Sequence, residues 1–237
     1  MTMSNGKTPL GEGKGYLSAI LYLAPHTTAG GKTLCPHSTD ACRAMCLAGS
    51  GLMALPKQET ARINRARRYL ANPTLFGEAL VKDLHKLMLI ADAEGMRPVV
   101  RLNGTSDIPW ELDFAGLFGA YPEIQFMDYT KIPLEKRRPA ANYHLTFSHE
   151  GPNTVASAIR YLTEGKSVAA VVDEDQKAQL MAAGYLGRFR YVDGDEHDLR
   201  FLDPPGAIVL LKPKGHIRTS LMRPNLGAEL ANGLYAR

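Results

Sequence analysis

The sequence predicts an α/β protein, a single domain on a parallel β/α barrel-like sheet (a partial or irregular TIM-type barrel), with a doubly wound open sheet as the alternative. Three observations predict it. Seven short β-branched or aromatic runs alternate with helical segments along the 237 residues. Nearly every run ends in polar residues at its carboxyl end, where β/α folds gather their ligand chemistry. No internal repeat divides the chain, so residues 1–15 read as a flexible N-terminal tail and 16–237 as one domain with a cysteine loop at 35–46.

The strand runs are AILYLA (19–24), PVVRL (98–102), IQFMDY (124–129), YHLTFS (143–148), SVAAVV (167–172), FRYV (189–192) and AIVLL (207–211). Between them, residues 56–71 open on Pro56, whose missing N–H costs nothing at a first helical position. Residues 73–94 carry Leu75, Phe76, Ala79, Leu80, Leu84, Leu87, Met88 and Ala91 at a 3.6-residue period and stop at Gly95. Shorter helices are expected at 110–118, 153–164 and 174–183. Strand–helix–strand units of this kind imply parallel pairing through right-handed crossovers.

Hydrophobic residues make up 45% and charged residues 22%, which suffices for a packed core, and the net charge of +4 permits an anionic partner without requiring one. LSAILYLA is too short for a signal peptide and lacks a cleavage pattern, and no run approaches the roughly 20 apolar residues that span a bilayer. The expected location is the cytoplasm, where clustered thiols point to metal or catalysis more than to disulfides.

All three cysteines, Cys35, Cys42 and Cys46, lie in GGKTLCPHSTDACRAMCLAGSGL. One helical turn would put Cys42 and Cys46 on one face, with Cys35 folding back across the Pro36–Ala41 bend. Three thiolates suit a [4Fe–4S] cluster with one iron left for another ligand. Zinc, with His37 or His26 as a fourth ligand, is the alternative, although zinc sites usually use closer cysteine pairs. GGKT does not complete a phosphate-binding loop, because His26 stands where its first glycine belongs.

The strand ends supply the remaining candidates: Arg101, Asn103 and Thr105-Ser106-Asp107; Asp128 to Lys131; Ser148, His149 and Glu150; Asp173 to Asp175; Asp193, Asp195, His197 and Asp198; and Lys212 and Lys214. Asn103, Asp107, Asp128, Lys131 and Lys212 are the expected ligand-binding set, holding a small molecule at the strand-end rim by hydrogen bonds and charge. Asp107 is also placed to cap the helix that follows. Arg62, Arg65 and Arg68, three apart, form a positive stripe able to face nucleic acid, or else a solvated helix face. Trp110 reads as core, and DGDEHD (193–198) as a solvated turn lacking a calcium-loop order.

CPHSTDACRAMCLAGSG, RLNGTSDIPWE, FMDYTK, YHLTFS and DGDEHDLRFLDPPGAIVLLKPKG, in this order over about 16–216, resemble the gene product 88-like family of bacteriophages and mobile elements. The resemblance implies a phage or mobile-element origin, hence the host cytoplasm, rather than a particular reaction. A more distant similarity is to radical S-adenosylmethionine enzymes, which place a three-cysteine cluster loop after the first strand of a partial β/α barrel. Here the spacing is Cys-x6-Cys-x3-Cys rather than Cys-x3-Cys-x2-Cys, Met45 precedes the last cysteine, and Asn103-Gly104-Thr105 replaces Gly-Gly-Glu. The expected function is an iron–sulfur protein with an open iron site and S-adenosylmethionine as its ligand. The alternatives are a zinc- or cluster-stapled binding protein for nucleic acid or protein, and a redox sensor.

Overall fold

The protein's structure is a computed structural model that describes residues 1–3, 13–151, 154–213 and 226–235; Lys214 and residue 153 therefore lie outside the described residues. Among the described residues, nine strands build one sheet: β1 (Thr2–Met3), β2 (Tyr16–Ile20), β3 (Arg97–Arg101), β4 (Gln125–Thr130), β5 (Tyr143–Ser148), β6 (Val168–Val171), β7 (Tyr185–Leu186), β8 (Phe189–Asp193) and β9 (Ile208–Leu211). Their order is β1-β2-β3-β4-β5-β6-β9-β8-β7. Every neighbour pair from β2 to β8 is parallel, and β1 and β7 are short antiparallel edges. The seven parallel strands are the seven expected runs, shifted by up to three or four residues at their ends. The two antiparallel edges were not expected; two residues are too few to show a period.

The helices are α1 (Asp40–Ala44), α2 (Pro56–Ala71), α3 (Pro73–Ala93), α4 (Trp110–Asp113), α5 (Leu117–Ala120), α6 (Val155–Thr163), α7 (Glu174–Ala183) and α8 (Leu226–Tyr235). In α3, Leu80, Leu84, Leu87 and Ala91 are buried, which is the apolar stripe of the sequence. The segment expected as one helix over 110–118 breaks into α4 and α5, with Phe114 at φ −136° between them. Trp110 is fully buried, against Tyr69, Phe76 and Phe114.

Alternation along the strands sorts the side chains onto two faces. Leu17, Val100, Phe126, Leu145 and Phe147 join Leu84, Leu87, Ala158 and Leu162 of the helices in the main core. The other face carries Tyr16, Val99 and Met127, which pack with Leu199 and Phe201. Those two residues belong to the β8–β9 connection, residues 194–207. The step from β8 to β9 runs backwards across the sheet, so a right-handed crossover must pass over the face opposite the helices. A polar crossover therefore lies beside the carboxyl ends of the strands. Gly194, at its start, has no room for a side chain: a Cβ there would lie 2.6 Å from Leu211 Cδ2 and 2.7 Å from Val209 Cγ1.

Candidate functional site

A cavity of about 540 Å³ opens at the carboxyl ends of the parallel strands, within the size range of small-molecule sites. Cys35, Cys42 and Cys46 all line it, together with Asn103, Asp107, Lys131 and Lys212 of the expected ligand-binding set. The strand-end rim is thus one site, assembled from segments far apart in sequence.

The cysteine loop is tied down at several points. His26, at φ 52°, is the only non-glycine residue in the left-handed region among those described. Its N–H lies 3.3 Å from Cys35 Sγ, and its carbonyl accepts the Leu34 N–H at 3.0 Å. The Leu34 carbonyl accepts from the Asp107 N–H at 2.8 Å, joining the loop to the segment after β3. Thr39 caps α1 by accepting the Cys42 N–H at 3.1 Å, and its hydroxyl donates to Glu150 beyond β5. Glu150 Oε2 also lies 3.3 Å from Lys131 Nζ. One carboxylate therefore fixes both the cap of the cysteine turn and the lysine beside it.

The shared helical face expected for Cys42 and Cys46 is not what brings them together. α1 ends at Ala44, and Cys46 stands in extended backbone ahead of the next turn, Leu47–Gly49. All three thiols line the cavity, brought there by reversal of the chain rather than by one helical face. Burial pushes the Cys35 thiol up to about 11, against the His26 N–H. Burial also raises Cys42, opposed chiefly by Lys131, and raises Cys46, opposed by the Ala48 backbone and Arg62.

Of the expected set, Asn103 lines the cavity with its side-chain amide engaged by the framework, and Asp128 stands behind it. Asn103 is buried and its amide is saturated: Oδ1 accepts from Ser106 Oγ, the Ile108 N–H and Trp110 Nε1, and Nδ2 donates to the Ile108 carbonyl and Asp128 Oδ2. Asp128 does not line the cavity; its carboxylate accepts the Asn103 N–H at 2.7 Å and the Tyr143 hydroxyl at 2.7 Å behind it. Burial pushes Asp128 up to about 7, against the charge of Arg101 and the Tyr143 hydrogen bond. Asp107 is not a helix cap, since α4 starts from Pro109. It accepts from Thr130 Oγ1 at 2.7 Å and from the Lys131 N–H at 2.8 Å, fixing one wall of the cavity.

The arginine stripe is also corrected. Arg62 is buried and donates to the Met53 and Ala48 carbonyls at 2.6 and 3.0 Å, clamping the turns that follow Cys46. Arg65 donates to the Tyr22 carbonyl, which leaves Arg68 as the exposed member of the three. Steps of three residues drift around a helix of 3.6 residues per turn, so Arg62 and Arg65 face main-chain carbonyls while Arg68 faces outward. Asp193 and Asp195 of the expected solvated turn both pair with the buried Lys177.

Other lining residues come from places the sequence did not single out. Glu229 of α8 reaches the cavity with Oε2 3.6 Å from His149 Nε2. Arg137, buried behind the rim, bridges Glu111 and Thr130; nothing in KRRP separates it from Arg138 beside it. His149 and His197 line the cavity, whereas His26 and His37 do not. Among the described residues, no group of three or more His, Cys, Asp or Glu side chains stands ready-made around a metal ion. The donor set nonetheless has the chemistry for a soft metal, with three thiols, a lysine to balance charge and two imidazoles at one cavity.

Fold and site define an α/β protein with a mostly parallel sheet and a thiol-lined cavity at its strand ends. A family model described as Gene product 88 matches residues 1–225, and the chain belongs to that family. No curated protein and no solved structure matches the chain. No helix among the described residues is long and apolar enough to cross a membrane.

Proposed function

We propose that the protein binds a [4Fe–4S] cluster through Cys35, Cys42 and Cys46, in a sheet curved like a partial β/α barrel, and acts in the cytoplasm of a phage- or plasmid-bearing host. The single observation that carries this is the presence of all three thiols in the lining of one cavity at the carboxyl edge of the strands. The chemistry such a cluster supplies is one-electron transfer, with one iron available to a further ligand when three cysteines hold it.

Each residue of the chain then has a definite task. Cys35, Cys42 and Cys46 hold the metal as thiolates. Burial disfavours those thiolates, so charge compensation is needed, and Lys131 supplies it beside Cys42. Glu150 holds Lys131 in place and Asp107 anchors its backbone. The rest of the cavity, whose lining includes Lys212, leaves room for a small ligand such as S-adenosylmethionine.

Anaerobically purified protein should be brown, absorb broadly near ~400 nm and carry iron and sulfide, with each Cys→Ser variant losing both. Colourless protein with stoichiometric zinc would defeat the cluster reading. Release of 5′-deoxyadenosine from S-adenosylmethionine by the reduced protein tests the enzyme reading. The two lining imidazoles favour one alternative, zinc held by the three thiolates and His149 or His197.

A further inference from the structure

The β8–β9 crossover rests on the sheet through a layer that is polar and dry. Alternation puts Arg101 of β3, Tyr129 of β4, and His144 and Thr146 of β5 on the face that carries Val99 and Met127, beneath the crossover. Arg101 Nε, the Tyr129 hydroxyl, His144 Nε2 and Thr146 Oγ1 have no hydrogen-bond partner among the described residues. The crossover meets them with Arg200 Nε, Arg200 Nη1 and Asp203 Oδ2, which lack one as well. Arg200 Nη1 and Asp203 Oδ2 lie 3.3 Å apart without the alignment of a hydrogen bond. Burial, and then the Arg200 charge, hold His144 down at about 4, so its ring is neutral there. These atoms are sealed from water, which could complete them only with the crossover raised. The closed packing thus forgoes hydration that an open one would regain.

The crossover is anchored unevenly. At its start, the Gly194 N–H donates to the Leu210 carbonyl at 2.8 Å, and Asp195 accepts from Lys177 Nζ at 2.7 Å and from the Lys212 N–H at 2.9 Å. At its end, the Gly206 N–H donates to the Gly165 carbonyl at 2.9 Å. Between these pins the main-chain hydrogen bonds among the described residues stay inside the crossover, from Arg200 to Asp198, Leu202 to Leu199 and Asp203 to Arg200. Two things hold this middle on the sheet. Leu199 and Phe201 pack with Tyr16, Val99 and Met127, and Asp198 Oδ2 makes a single 3.3 Å contact with Arg101 Nη1. That ion pair is long and its carboxylate partly exposed, so it holds weakly. His197, Asp198 and Leu199 also line the cavity.

We infer that residues 196–204 are a strap that lifts off the sheet between fixed ends and opens one wall of the strand-end cavity. Lifting hydrates the polar layer, withdraws His197, Asp198 and Leu199 from the lining, and bares Arg101 and Tyr129. Loss of the apolar contacts of Leu199 and Phe201 opposes it, so the closed and open states stand close in free energy. The strap is a property of the fold and does not depend on a cluster being bound.

Two measurements on the full-length protein test this, each read by mass spectrometry on its peptides. The first is hydrogen–deuterium exchange, in which the strap should exchange through its own opening, well before β4, β5 and β9. The second is modification by the arginine reagent phenylglyoxal. Arg200, sealed under the strap, should react while the equally buried Arg137 stays protected. Thr146→Val and Tyr129→Phe each take a dry hydroxyl out of the closed layer, and each should slow both readouts at the strap by roughly fivefold. Phe201→Ala removes an apolar anchor and should speed them by roughly tenfold or more, with β4 and β5 unchanged. A crossover that is only a static connection predicts the reverse for the hydroxyl variants. Readouts unchanged or faster in both Thr146→Val and Tyr129→Phe therefore overturn the inference. So does a strap that exchanges only together with β9, or an Arg200 as protected as Arg137. Iron and sulfide content of the same samples is read separately, so the strap and the cluster can each fail alone.

Discussion

Replacing Glu111 with alanine should be among the most damaging single changes in the protein. Glu111 Oε1 lies 2.5 Å from Arg137 Nε and Oε2 lies 2.8 Å from Arg137 Nη2, with side-chain exposures of 3% and 0%. Removing the carboxylate strands a guanidinium with no access to water, a loss of about 3–5 kcal/mol. In a chain of this size, 1 kcal/mol moves the melting point by about 2–4 °C, so Tm should fall by roughly 6–20 °C. The lower part of that range is favoured, because Arg137 Nη1 keeps Thr130 Oγ1 at 2.9 Å and Asp107 Oδ1 at 4.0 Å. Removing both partners, as in Glu111→Leu with Arg137→Met, should cost far less than the single change. Thr130 still donates to Asp107 and Tyr143 to Asp128, so neither hydroxyl is left bare. Urea and thermal unfolding followed by circular dichroism would measure the whole cycle. A loss under about 1 kcal/mol for Glu111→Ala, or a double variant as unstable as the sum of the singles, would refute the argument.

The same pair makes an acid-side prediction. Burial alone would raise Glu111, but Arg137 outweighs it and holds the carboxyl below its usual range. Its stabilisation is therefore present above the ordinary carboxylate range and lost as pH falls through the lowered value. Asp128 should act in the opposite sense. Its folded-state value is pushed up to about 7, so its contribution is complete at acid pH and declines as pH rises from the ordinary carboxylate range, about 4, towards neutrality. Asp128→Asn should flatten stability between those limits; an unchanged slope in urea unfolding at several pH values would contradict this. Asn103→Ala strips acceptors from three donors, among them Trp110 Nε1, and should cost a few kcal/mol, about 1–3 for each donor left dry. Gly194→Ala places a Cβ against Leu211 and Val209 and should lose about 1–3 kcal/mol, visible as a lower urea midpoint.

Much of the architecture was legible in local pattern. Most of the parallel strands are buried on both faces and read as apolar runs, while β8 alternates around an exposed Arg190, and all seven were visible. Helices α2, α3 and α7 have start and stop signals in Pro56, Pro73 and Gly184, and the bounds lie within a residue of expectation. The order of the strands was not legible. That β9 inserts between β6 and β8 depends on which edge is free when β8 pairs, and no local spacing encodes it. α8 escaped notice because it follows a proline- and glycine-punctuated stretch, yet it carries Glu229 to the cavity.

The candidate site divides along the same line. Residue type and strand-end position were enough to nominate Cys35, Cys42, Cys46, Asp107, Lys131 and Lys212, since those are properties of the chain itself. The roles of Asn103, Asp128, Arg62 and Arg65 were decided by tertiary structure. A polar side chain binds whatever faces it, and here main-chain carbonyls and neighbouring framework groups face it first. Sequence by itself settled which chemical groups gather at the strand ends, because a strand's carboxyl end is a local fact. Which of them remain available to a ligand was settled only by packing, because availability depends on partners as near as Ser106 for Asn103 and as far as Tyr22 for Arg65.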